Sequence, residues 1–152
     1  MIDKDAATKR YALRKEQAKQ AFETNPRVFV YGSLKEGWGN HATLGMSKLI
    51  DETVSEDSFA LGDIGFPYAF APDVVPDEYR QLLFPVMGEM YEVHDANTFS
   101  HLDALEGYPS HYTRRIFNFT NGVNAWMYIQ PEWDNAKYCR ACTLEEGIWS
   151  WP

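Results

Sequence analysis

VFVYGSLKEGWGNH, residues 28–41, carries four strand-forming residues straight into a glycine, a serine and a glycine-broken polar loop. Val28, Phe29, Val30 and Tyr31 are β-branched or aromatic and suit a pleated, packed strand. Gly32 closes that strand. A strand that stops there leaves successive backbone N–H groups, those of Ser33 and Leu34, free to converge on an anion such as a carboxylate, and glycine has no Cβ to block the approach. A plain turn glycine with no ligand is the alternative. Ser33 is not read as a nucleophile, because a nucleophile elbow needs glycines two before and two after, and Tyr31 and Lys35 stand there.

Upstream, Asn25-Pro26 marks a boundary. Residues 1–24 are rich in Ala, Gln, Lys and Arg and predict a helix in which Leu13, Ala18 and Phe22 are the side chains available to pack. The chain therefore divides into a helical extension, residues 1–26, and a main domain, residues 27–152. That helix either packs on the body, packs on a second subunit to form a homodimer, or stays solvated.

Downstream, residues 42–50 suggest a short helix or turn-rich segment. Residues 51–71 mix strand-like pieces with Gly62, Gly65 and Pro67, which implies short strands and bends. LLFPVMGEMYEVH, residues 82–94, has the alternation of a strand in a curved sheet. DANTFSHLDALEG, residues 95–107, starts on an Asp cap, spaces Phe99, Leu102 and Leu105 by three, and stops at glycine, so it predicts a helix. Two strand-like runs joined by TNG, residues 120–122, predict a hairpin that Pro131 ends. Strands linked by hairpins, with few helices between them, define an α+β fold on a curved, mainly antiparallel or barrel-like sheet.

Composition limits the function. A chain of 152 residues with 45% hydrophobic and 15% aromatic content has enough apolar surface for one packed core. Its net charge of -8 argues against nucleic acid, since phosphate binders place Lys and Arg along their surface. The N-terminus is charged throughout and no apolar run approaches a membrane span, so a soluble, cytoplasmic protein without membrane contact is expected. The two cysteines, Cys139 and Cys142, form a C-x-x-C pair without nearby histidines. Inert thiols are expected there in place of a zinc site or redox dithiol, and no metal or cofactor is expected.

Glu106 breaks a local rule. It falls in the last turn of the predicted helix, where the dipole favours cations, three residues after Asp103. Both neighbours, and any burial, raise its pKa towards neutrality, where a carboxylate can take and return a proton. A surface glutamate at a frayed helix end is the plain alternative. Tyr108, Tyr112 and Tyr128 are candidates to line a pocket beside it, though tyrosines also fill cores.

Four blocks in order, FVYGSLKEGWGNH, VMGEMYEV, LDALEGYPSHYTRR and AWMYIQ, resemble the gamma-glutamylcyclotransferase family over residues 28–131. The first block is most similar to the family's gamma-glutamylamine cyclotransferase branch. The resemblance implies a small mixed β-barrel with packed helices. It also implies that Tyr31, Gly32, Ser33 and Leu34 hold the glutamyl carboxylate, that Tyr112 and Tyr128 line the pocket, and that Glu106 is the catalytic acid/base. The implied reaction cyclises a γ-glutamyl amine or amino acid to 5-oxoproline and releases the amine, with a small-molecule substrate and no cofactor. The N-terminal helix and the tail after residue 132 have no counterpart in that pattern. Two other classes stay open: a non-catalytic domain holding a small acidic metabolite or peptide end in the same cavity, and an interaction module using the N-terminal helix with exposed Trp149 and Trp151.

Overall fold

The computed structural model describes residues 3–137 and 142–151. Helix α1 (Lys4–Thr24) is capped by Asp3, whose carboxylate accepts the N–H groups of Asp5 and Ala6. Strands β1 (Arg27–Val30), β2 (Lys48–Val54), β3 (Ala60–Asp63), β4 (Pro67–Phe70) and β5 (Met87–Glu92) follow, then helix α2 (Ala96–Glu106) and strands β6 (Thr113–Asn118), β7 (Asn124–Ile129), β8 (Thr143–Glu145) and β9 (Ile148–Ser150).

Five strands form one sheet in the order β2-β5-β1-β7-β6. The opening stretch lies at its centre. β1 runs antiparallel to β5 and parallel to β7, so the sheet is mixed, and its other pairings are antiparallel. Val28 and Val30 join a cluster with Ala18, Ala21, Phe99 and Leu102, whereas Phe29 joins Phe59, Met90, Phe119 and Met127 on the other face. A central strand buried on both faces explains why this run is apolar without alternation. Two antiparallel pairs, β3 with β4 and β8 with β9, stand outside the sheet.

The barrel that the resemblance implied is not closed. Edge strands β2 and β6 meet at one end only, where the residues just beyond them form a single bridge, Ser55 with Phe119. There the Glu56 N–H donates to Asn118 O at 3.0 Å and the Thr120 N–H to Val54 O at 2.9 Å. Elsewhere both edges are wet: Lys48, Leu49, Ile50, Asp51 and Glu52 of β2 and Arg115 and Ile116 of β6 are exposed. Charged Lys48, Asp51, Glu52 and Arg115 break up the apolar side chains on those edges, so no continuous apolar face draws the rest of the seam together.

The predicted α2 helix forms as expected, with the Asp95 carboxylate accepting the Thr98 N–H at 2.7 Å and Gly107 left-handed at φ 65°. Phe99 and Leu102 are fully buried, but Leu105 is 42% exposed, so the three-residue pattern overshoots by one turn. The TNG hairpin also forms, with Gly122 at φ 84° between β6 and β7. In residues 42–50 a 3-10 turn (His41–Leu44) gives way to β2 already at Lys48.

Helix α1 is solvated along its first half and docked along its second. Leu13 is 58% exposed, while Ala18 and Ala21 are buried against α2, and small side chains let the two helices approach closely. Trp126 Nε1–H donates to the carbonyls of Ala21, at 3.2 Å, and Asn25, at 3.0 Å, so the helix end is tied to β7. Trp149 and Trp151 are buried, which corrects the expectation that they are exposed and removes the interaction surface built on them. Cys142 is half-buried and its N–H donates to Leu61 O at 3.2 Å. Cys139 lies outside the described residues.

Candidate active site

Where β1 ends, the chain folds back on itself. The Lys35 N–H donates to Gly32 O at 3.0 Å, and the Asn40 N–H donates to Ser33 O at 3.0 Å. Asn40 Nδ2 also donates to Ser33 Oγ at 2.8 Å, so the side chain of Asn40 braces the turn from within. Among the described residues the N–H groups of Ser33 and Leu34 have no acceptor. That is the donor pair the sequence suggested.

Gly32 owes its identity to packing as well. A Cβ built there would stand 2.7 Å from Pro67 Cγ and 3.0 Å from its Cδ, inside van der Waals contact. The ring of Pro67, at the start of β4, presses on the turn. The side of Gly32 expected to stay open for a ligand's approach is filled by Pro67.

Glu106 is the last residue of α2 and is half-buried. Burial, followed by the negative charge of Asp103, pushes its pKa up to about 7. Asp103 is fully buried and paired: Arg114 Nε donates to its Oδ1 at 2.9 Å, Arg114 Nη2 to its Oδ2 at 3.0 Å, and the Tyr128 hydroxyl to its Oδ1 at 2.6 Å. The guanidinium lies 3.9 Å from the ring centre of Tyr108 and 4.8 Å from that of Trp126. A fork–fork pair of this kind is rigid, and it fixes the helix turn that carries Glu106.

Tyr31, Gly32, Ser33, Leu34, Glu106, Tyr112 and Tyr128, the residues nominated from sequence, all line one cavity of about 210 Å³. The tyrosine hydroxyls brace its wall. Tyr31 donates to Tyr128 O at 2.7 Å and accepts the Ala69 N–H at 3.3 Å, and Tyr112 donates to Pro67 O at 2.9 Å. Burial raises the pKa of Tyr31, Tyr112 and Tyr128, so all three stay protonated.

Sequence reasoning missed Asn40, Phe66, Tyr68, Leu105 and His111, which share this lining. Tyr68 stacks on Tyr112 with ring centres 5.5 Å apart and planes 11° apart. Phe66 and Tyr68 come from the separate β3–β4 hairpin, whose docking is a tertiary event with no local spacing to announce it. Leu105 shares the three-residue spacing of Phe99 and Leu102, and that spacing alone does not tell a core position from a cavity-lining one. Among the described residues no group of three His, Cys, Asp or Glu side chains is placed to hold a metal ion, and no helix is long and apolar enough to cross a membrane.

A mixed sheet with a carboxyl group and a strand-end turn facing one cavity defines a class of small α+β domain, and the comparisons place this chain within it. Residues 28–150 match the family model described as gamma-glutamyl cyclotransferase, AIG2-like. The chain belongs to that family. A provisionally named gamma-glutamylcyclotransferase of Methanocaldococcus jannaschii is 36% identical over 110 residues, covering 69% of this chain and 84% of its own. The gamma-glutamylcyclotransferase family protein YtfP of Escherichia coli K12 is 32% identical over 124 residues, covering 81% of this chain and 95% of its own. Among solved structures, an AIG2-like protein from mouse superposes with a TM-score of 0.59 at 25% identity, over 84% of this chain and 95% of its own.

Proposed function

We propose that this protein is an enzyme that cyclises γ-glutamyl amines to 5-oxoproline and frees the amine. One observation carries the proposal. Glu106, whose pKa burial pushes up to about 7, lines the same cavity as Ser33 and Leu34, whose backbone N–H groups have no acceptor among the described residues.

The substrate is its own nucleophile. Its α-amino nitrogen attacks the γ-amide carbonyl carbon, a five-membered ring closes, and the bond from that carbon to the amine nitrogen breaks. Holding the bent conformer is most of the task, since good intramolecular alignment supplies about 7–11 kcal/mol of the barrier. Glu106 as carboxylate takes a proton from the α-ammonium group, which makes the nitrogen nucleophilic. As carboxylic acid it then returns that proton to the departing amine nitrogen. The ring nitrogen, still carrying one proton too many after attack, gives it up through the same carboxylate to the released amine, which leaves as an ammonium ion, so Glu106 ends as it began. A pKa near the working pH suits both halves of that cycle. The N–H groups of Ser33 and Leu34 hold the α-carboxylate.

The lining supports an amine leaving group over an amino acid. Among the described residues, no lysine or arginine lines the cavity, and Phe66 and Leu105, both exposed, give its rim an apolar stretch. A leaving amino acid would bring its own carboxylate beside Glu106 with no lysine or arginine among the described lining residues to pair with it. The test is release of 5-oxoproline from a panel of γ-glutamyl amines, γ-glutamyl amino acids and γ-glutamyl peptides. Turnover of the amines in preference to the acids is expected. Binding of the panel without any 5-oxoproline would point to a non-catalytic metabolite-binding domain.

A further inference from the structure

The segment from residue 148 to residue 151 packs on the outside of the turn that follows β1. Trp149 anchors it: its indole N–H donates to Leu82 O at 3.0 Å, its backbone N–H donates to Pro85 O at 2.8 Å, and it pairs with Val86 as a parallel bridge. Two residues on, Trp151 is buried and its ring packs on that of Trp38 with centres 4.4 Å apart. Its carbonyl accepts the Lys35 ammonium group, and its Cε3 stands 4.0 Å from where a Cβ on Gly32 would be. Trp151 thus contacts the loop at Lys35 and at Trp38 and stands beside its start at Gly32. Among the described residues it does not line the cavity.

We propose that Trp151 is a positioning residue, a strap that holds the loop of residues 32–40 in the shape that presents the Ser33 and Leu34 N–H groups to the substrate carboxylate. The proposal rests on the cyclotransferase reading for its effect on turnover, but not for its effect on the loop. Besides Gly32, the loop carries Gly37 and Gly39, which give it many accessible conformations, and neither of these two has a neighbour within 4 Å of its Cβ position. Internal hydrogen bonds close the loop on itself. Only contacts from outside can fix its orientation to the rest of the wall, and on this side Trp151 supplies them. On another side the buried Glu89 carboxylate accepts the Glu36 N–H at 2.8 Å.

The full chain is compared with Trp151→Ala, Trp151→Phe and Lys35→Met. Amide hydrogen exchange in residues 32–40 reads the strap directly, with the thermal midpoint and exchange in β5 and β7 reporting whether the fold is kept. Faster exchange confined to residues 32–40 is expected in Trp151→Ala and, more weakly, in Lys35→Met, with Trp151→Phe close to wild type. On an accepted γ-glutamyl amine, Trp151→Ala should raise KM about tenfold with kcat within about twofold, because the turn grips substrate and transition state alike. Its pH midpoint should stay where it is in the wild type. Unchanged exchange in a folded Trp151→Ala overturns the proposal, as does a fall in kcat at constant KM. If the wild type turns over nothing on the panel, the functional reading fails, and exchange alone still decides whether the strap exists.

Discussion

Glu106 sits where helix electrostatics are least welcoming to it. The last turn of α2 has no basic residue, the negative end of the helix dipole lies there, and a second acid is buried one turn back. The pKa of about 7 is raised, so folding favours the protonated form, and the sign of the consequence follows. Between the ordinary value of 4.5 and about 7 the folded chain binds more protons than the unfolded one, and stability falls as pH rises through that window. Glu106→Gln removes the penalty. Its advantage over wild type in urea denaturation should grow between pH 5 and pH 8 and level off above. Turnover moves the opposite way. The carboxylate form starts the reaction, so wild-type kcat/KM should rise with pH through about 7 and then flatten. The variant should lose about 10²–10⁴ in kcat together with that limb, while still binding substrate through the turn. A Gln variant with near-normal turnover on an accepted substrate would remove Glu106 from the chemistry.

The turn after β1 shows how far local sequence reaches. Its glycine, its two open N–H groups and its place after an apolar strand are local properties, and they were legible in residues 28–34. Pro67 was not. It arrives on a hairpin outside the sheet, and only the close approach of its ring shows why residue 32 cannot carry a side chain. Gly32→Val should therefore fail differently from a blocked ligand. The clash displaces the β3–β4 hairpin, and the thermal midpoint should drop along with activity, with or without substrate present. Ser33→Ala offers the contrast: it removes the hydroxyl that accepts from Asn40 but keeps the backbone N–H, so most activity should survive. Loss of all activity in a folded Ser33→Ala would return the hydroxyl to the mechanism. The same limit explains the missed Phe66 and Tyr68, since a cavity wall built from three separate elements has no period in any one of them.

The composition and the spacing of turn signals were enough for an α+β class, and the α2 helix and the β6–β7 hairpin followed from caps and glycines. The failure of the sheet to close was not legible, because it depends on which side chains of the two edges meet across space. The placement of α1 is the other long-range outcome. Its sequence has almost no apolar stripe, yet the helix docks through Ala18 and Ala21, where small size rather than hydrophobicity brings it against α2. A helix held this way is sensitive to volume at the contact and indifferent to what lies on its free half. Ala18→Leu should cost about 1–3 kcal/mol by overpacking, read as a lower urea midpoint at unchanged slope. Leu13→Ala, at a site 58% exposed, should stay within about 0.5 kcal/mol of wild type. Trp126→Phe should share the loss of Ala18→Leu in direction, since it strips the indole N–H from the carbonyls of Ala21 and Asn25 at the helix end. If Ala18→Leu left stability untouched while Trp126→Phe lowered it, α1 would be tethered at its end and not docked along its second half.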